Sequence, residues 1–287
     1  MWCNMNYKEF GKDNPKTIIL LHGGGLSWWN YREEAEALKN EYHVVIPILD
    51  GHAGSDKHFT TIENNACDII SFIQEHLGGH VFLIGGLSLG GQILLEMLSQ
   101  QGDICKHAII ESAMAVSSKF THALIRPAFG CSYPLIRQKW FSKLQFRQLR
   151  MKPELFDDYY RDTCLIQKND MIAFLKANTS YRLKESVKRC SADVRIYFGE
   201  KENQGIKKSA RVIREAFPVS SITGLPEMYH GDFSINHSHD YIKRQPNLAL
   251  TLNCNRQPFT AYKNQRASLE VLFYFETQNS VVLTFIC

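Results

Sequence analysis

Short apolar, β-branched runs alternate along the first 111 residues with longer stretches whose apolar positions recur every three or four residues. Thr17–Leu21 (TIILL), His43–Ile48 (HVVIPI), Val81–Gly85 and His107–Glu111 (HAIIE) read as strands. Trp28–Asn40, Thr61–Leu77 and Leu89–Gln101 read as the helices between them. In the second helix Ile62, Ala66, Ile69, Ile70 and Ile73 share a face, and Thr60 or Thr61 offers a capping hydroxyl. Strands apolar at every position, not at every second one, are buried on both faces. They predict a parallel sheet layered between helices. The rhythm resumes with a strand at Val194–Phe198, a helix near Gln204–Phe217, a short strand near Ser220–Thr223 and a last helix after Asp232. One short strand near Tyr7–Phe10 has room to lead. The expected fold class is α/β, with a doubly wound, mostly parallel sheet.

From Ser112 to Ala192 that rhythm stops. The spacing predicts helices around Tyr133–Arg150, around Pro153–Leu165, from an Asn169 cap through Ala177, and around Leu183–Arg189. A strandless stretch between two core strands reads as an inserted helical cap. The expected organisation is a core of residues 1–111 and 193–244, a cap of residues 112–192, and an extension of residues 245–287. That extension contains no glycine and ends in two β-like runs, LEVLFYF and VVLTFIC, which would be prone to aggregate if exposed.

With 287 residues, 44% of them hydrophobic, the chain can bury a large core. A net charge of +4 is too mild to imply a nucleic-acid partner. No apolar run approaches the roughly 18 residues that span a bilayer, and MWCNMNYKE lacks the apolar segment of a secretory signal. A cytoplasmic location without a transmembrane segment is therefore expected. The eight cysteines (Cys3, Cys67, Cys105, Cys131, Cys164, Cys190, Cys254, Cys287) are scattered and form no Cys-x-x-Cys pair. Free thiols, and no structural zinc site, are the expectation.

Chemistry enters with Ile84–Gln92, IGGLSLGGQ. Gly86-Leu87-Ser88-Leu89-Gly90 matches the Gly-x-Ser-x-Gly elbow, with a strand before it and a helix after it. In that turn a strained backbone lifts the serine hydroxyl above the sheet, and side chains two residues either side would collide with the turn. Gly91 then lets the helix sit close to the sheet. The loop Gly23–Gly25 is followed by no Lys-Ser/Thr and fits neither a P-loop nor a dinucleotide fingerprint.

Four stretches in order, LLHGGG (Leu20–Gly25), LDGHAGS (Leu49–Ser55), GLSLGG (Gly86–Gly91) and YHGDFSINH (Tyr229–His237), resemble the α/β-hydrolase superfamily. The likeness covers roughly residues 7–244 and is to its proline-iminopeptidase and carboxylesterase-like branch, which carries a helical cap. It implies Ser88 as nucleophile and His230, just past the last strand, as its base in preference to His237 or His239. It implies Glu202, in Phe198-Gly-Glu-Lys-Glu, as the acid that orients the histidine, with Glu200 and Glu111 as alternatives that stay open. The amides of Leu89 and Gly24 would form the oxyanion hole, and His52 would be architectural. Serine at the elbow argues against haloalkane dehalogenase and epoxide hydrolase chemistry, for which related enzymes use aspartate.

No metal or organic cofactor is implied. The expected reaction is hydrolysis of a small-molecule carboxylic ester or thioester. Amide or carbon–carbon bond hydrolysis by the same residues stays open, as does a non-catalytic binding or signalling role. Substrate contact is expected from Trp28 and Trp29, after the oxyanion loop, and from Trp140 in the cap. From Lys119 to Lys152 the cap carries Lys119, Arg126, Arg137, Lys139, Lys143, Arg147, Arg150 and Lys152 without one acidic residue. Such a run is either the solvated side of a packed amphipathic helix or a landing surface for an anionic substrate, a lipid-like substrate or a peripheral membrane face.

Overall fold

The computed structural model describes residues 5–245. Its strands are β1 (Tyr7–Phe10), β2 (Thr17–Leu21), β3 (His43–Pro47), β4 (Val81–Leu87), β5 (Cys105–Glu111), β6 (Asp193–Gly199) and β7 (Ser220–Leu225). They form one sheet in the order β1-β3-β2-β4-β5-β6-β7. Only β1 runs antiparallel, against β3; every other pair is parallel. The helices are α1 (Arg32–Leu38), α2 (Ile62–His76), α3 (Leu89–Gln100), α4 (Lys119–Ser132), α5 (Lys139–Leu149), α6 (Phe156–Leu165), α7 (Lys168–Ser180), α8 (Gln204–Ala216), α9 (Asp232–Asn236) and α10 (Ser238–Lys243).

Alternate strand residues feed two separate cores. Ile19, Leu21, Val45 and Ile84 pack with α2, α3 and α8 on one face. Ile18, Leu20, Val44, Ile46 and Leu83 pack with α1 and α10 on the other. Each such side chain contributes about 1.5–3 kcal/mol by leaving water, which is why the central strands are apolar at every position. Thr61 caps α2 as expected, accepting the Asn64 amide at 3.0 Å.

Several local expectations need correction. The stretch predicted as one helix over 28–40 is a 3-10 turn, Trp28–Tyr31, leading into α1. Here Trp29, Asn30 and Tyr31 are all buried, and the Asn30 side chain accepts the Gly23 amide. The expected helix 133–150 is a 3-10 turn over Tyr133–Arg137 followed by α5, broken at Gln138 in extended backbone. α7 begins at Lys168 after Gln167, and Asn169 does not cap it. Helix α4 was not expected at all. It forms around the internal Pro127 because Thr121, Ile125 and Phe129, four residues apart, bury one face. The two β-like runs of the extension lie outside the described residues. Among the described residues no helix is long and apolar enough to cross a membrane, and Cys67, Cys105, Cys164 and Cys190 are free.

Candidate active site

In a parallel sheet, the carboxyl ends of the strands all open on one edge, and ligands bind there. That edge gathers the loop after β2 (Gly23–Gly25), Ser88 after β4, Glu202 after β6 and His230 after β7. All of these line a single cavity of about 160 Å3.

Ser88 sits at φ 53°, ψ −110°, a conformation L residues avoid. Its amide donates to the Glu111 carbonyl at 2.9 Å, tying the elbow to β5. Its hydroxyl makes no capping bond to α3. A Cβ on Gly90 would lie 2.1 Å from the Leu21 carbonyl oxygen, and one on Gly86 would lie 2.5 Å from the Gly90 oxygen. Gly85, read from sequence as a strand end, lies inside β4 and makes room for the Tyr241 hydroxyl.

His230 presents Nδ1 to Glu202 Oε1 at 3.7 Å. Burial works to lower the histidine pKa, but the adjacent Glu202 carboxylate, with Glu111 beyond, outweighs it and the net shift is upward. Glu202 is buried, and its Oε1 also accepts the Ser112 hydroxyl at 2.5 Å. Ser112 itself has φ 54° and donates its amide to the Tyr197 carbonyl. Sequence reading did not find Ser112, for nothing in its neighbours distinguishes it from any residue after a strand. Of the three acids left open, Glu202 is the one beside the histidine. Glu200 is exposed. Glu111 is buried under the elbow, where its Oε1 accepts the Ser234 amide at 3.3 Å. Burial pushes the Glu111 carboxyl up to about 7.

The glycine loop is braced on both sides. Gly23 donates to Asn30 Oδ1 at 3.3 Å, and Gly25 donates to His52 Nε2 at 3.0 Å. Among the described residues, the Gly24 amide between them has no protein acceptor. The same holds for Leu89, whose amide opens α3. Both residues line the cavity. His52 Nε2 accepts that bond because burial, the dominant influence, lowers its pKa to about 4 and keeps the ring neutral. His22 behaves alike at about 3, accepting the Leu49 amide on Nε2. The two rings meet edge to face, with centroids 5.0 Å apart.

Trp28, Trp29 and Trp140, expected to contact substrate, do not line this cavity. Trp29 is 1% exposed in the sheet core, its indole N–H donating to Asp162 at 2.8 Å. Trp28 lies under the Arg32 guanidinium, 4.9 Å from its ring centre, and borders a different groove. Trp140 is 63% exposed on α5, because the buried face of that helix is carried by Phe141, Gln145 and Phe146. Leu149, Met151, Tyr159, Phe174, Leu175 and Ile235 supply the apolar wall. Arg137, Lys143, Arg147 and Arg150 of the basic run are all exposed, and of these four Arg150 alone lines the cavity, at its mouth.

Arg150 has left-handed backbone, φ 56°, ψ 24°, which costs a non-glycine residue about 1–3 kcal/mol. Asn236 compensates: its Nδ2 donates to the Arg150 carbonyl at 2.9 Å, and its Oδ1 accepts the Lys152 amide at 3.1 Å. Asn236 is bonded in turn to Asp232, which accepts the Tyr229 amide at 3.1 Å. The histidine loop and the helical segment are thus joined through one side chain.

A strained serine between strand and helix, a histidine after the last strand, and a seven-stranded sheet with helices on both faces define a class of protein. The sequence model of the alpha/beta hydrolase fold matches residues 16–199, and the chain belongs to that family. It is 24% identical over 145 residues to the uncharacterized hydrolase YugF of Bacillus subtilis, covering 49% of this chain and 52% of that protein. It is 28% identical over 108 residues to a soluble epoxide hydrolase of Corynebacterium sp., covering 37% of each. The chain spans about half or less of the length of the curated relatives it matches. A thermophilic esterase from Thermogutta terrifontis superposes with a TM-score of 0.67 at 17% identity, over 82% of this chain and 89% of that one. An enol-lactonase from Burkholderia xenovorans superposes at 0.69 and 15% identity, over 83% and 94%. At these identities the likeness is one of fold.

Proposed function

We propose that the chain is a serine hydrolase that cleaves a carboxylic ester or thioester through Ser88, His230 and Glu202, by way of an acyl-enzyme. The carrying observation is the convergence on one cavity of a serine in strained backbone, a histidine and a buried carboxylate facing the histidine's Nδ1. With Nδ1 turned to Glu202, Nε2 is the nitrogen left to take the Ser88 proton as Oγ attacks the carbonyl carbon. The tetrahedral oxyanion is held by the Gly24 and Leu89 amides. Its collapse breaks the bond to the alcohol or thiol, which leaves with the proton from His230. Water then attacks the acyl carbon with His230 again as base, releasing the acid and restoring Ser88.

The helical segment between β5 and β6 serves as the cap that closes the acyl pocket with Leu149, Met151, Phe174 and Leu175. A volume of about 160 Å3 is close to that of an engineered cavity that binds benzene, which suits a short acyl group.

A fluorophosphonate probe tests the assignment. The wild type should be labelled once, at Ser88, and Ser88→Ala should not be labelled. Labelling retained in Ser88→Ala overturns the site, and absence of labelling in the wild type overturns the enzyme.

A further inference from the structure

Resting on that reading, we propose that Arg150 anchors an anionic group of the substrate, so that the ester taken by this cavity carries a carboxylate or a phosphate close to its scissile carbonyl. Three charged side chains line the cavity: Arg150, Lys201 and Glu202. Glu202 is engaged by His230 and Ser112. Lys201 is engaged by Glu227 at 3.2 Å. Arg150 alone of the three pairs with no opposite charge among the described residues. It instead lays its guanidinium over the Tyr229 ring, 3.9 Å from the centroid.

Stacking on the ring face leaves the edge of the guanidinium, with its N–H donors, open to a planar anion. The ring belongs to the residue directly before His230, so the cation is registered to the reacting atoms. Backbone strain at Arg150 points the same way. Asn236, which also reaches the histidine loop through Asp232, holds the Arg150 backbone, so the exposed side chain leaves the chain from a fixed point at the cavity and lies against Tyr229. Arg137, Lys143 and Arg147, equally exposed, do not line the cavity. Because the enclosed space is small, the anion lies at the mouth, only a few atoms from the carbonyl carbon. An acyl group ending in a carboxylate fits this distance, as does a leaving group bearing a phosphate or carboxylate.

The experiment compares kcat/KM for mono-p-nitrophenyl glutarate and for p-nitrophenyl butyrate, which share a leaving group and differ in acyl charge. 4-Acetoxybenzoate and 4-acetoxyphenyl phosphate, each read against neutral phenyl acetate, place the anion on the leaving side and distinguish the two sources. Arg150→Gly suits the left-handed backbone and so removes the guanidinium without adding strain. It should lower the anionic-to-neutral ratio at least tenfold for one of the two sources, chiefly through KM. Arg150→Lys should restore part of that ratio, because charge returns without the planar fork. Asn236→Ala should lower it in the same direction. A ratio unchanged within about twofold in Arg150→Gly, with Ser88 still labelled, overturns this inference and leaves the hydrolase reading standing. A wild type that is unlabelled and turns over none of the esters overturns both.

Discussion

At the scale of single residues, the site depends on how few atoms separate a useful charge from a costly one. Glu202 and Glu111 are both buried carboxylates at the same edge of the sheet. Glu202 faces an imidazole and a hydroxyl, whereas Glu111 has one amide and a carboxyl raised to about 7 by burial. Replacing Glu202 by Gln should therefore depress kcat by two orders of magnitude or more, since the imidazolium loses its partner. Glu111→Gln should cost far less. The reverse order in steady-state kinetics would move the acid to β5. The same geometry sets the acid limb of the pH profile. Glu202 raises the His230 pKa above its ordinary value of 6.5, so kcat/KM should rise through a midpoint above 6.5. In Glu202→Gln that midpoint should shift downward, because the half-buried ring keeps its desolvation and loses the compensating charge.

At the scale of elements, the turn from β4 into α3 leaves no room for side chains at Gly86 and Gly90. Gly90→Ala would set a methyl 2.1 Å from the Leu21 carbonyl in the neighbouring strand, backbone against backbone. It should destabilise the fold by about 3 kcal/mol or more. Gly85→Ala meets the end of the Tyr241 side chain and should cost less. Urea midpoints of the two variants check the order. The elements of the sheet were largely legible in sequence, because strands buried on both faces show as uninterrupted apolar runs. Helix α4 was not. Its buried face, Thr121, Ile125 and Phe129, is apolar at only two positions and the helix contains Pro127, so its periodicity is faint in sequence and its packing against α7 settles it. Nor did the aromatic count locate the pocket. Trp28, Trp29 and Trp140 stand out by size, yet their partners are a guanidinium, a carboxylate and solvent.

At the scale of the whole molecule, buried titratable groups set the pH window of stability. His22 and His52 have folded-state pKa values of about 3 and 4, below the ordinary 6.5. Their contribution is complete above pH 6.5 and is lost as pH falls toward those values, because the unfolded chain binds the protons first. Glu111 acts in the opposite sense. Its carboxyl is raised from 4.5 to about 7, so stability declines as pH rises across that interval. Thermal melts from pH 4 to 8 should show both limbs. His52→Gln, which keeps an acceptor for the Gly25 amide without a titrating ring, should flatten the acid limb. Glu111→Gln should flatten the other. A melting temperature in His52→Gln that falls with acid as steeply as in the wild type would exclude the histidine as a source of that limb.

The sequence by itself determined the alternation of strands and helices, the family, and the nucleophile candidate with the glycines around it. These are local matters of periodicity and of a turn that tolerates few side chains. Which acid faces His230, which residues wall the cavity and which cation of a long basic run reaches its mouth were decided only in the tertiary structure. Each of those depends on where separate strands end in space. Glu202 and Ser112 are 90 residues apart and meet at 2.5 Å. Arg150 and Asn236 are 86 apart and meet at 2.9 Å. No pattern along the chain records such distances, because the sheet order that creates them differs from the order of the strands in sequence.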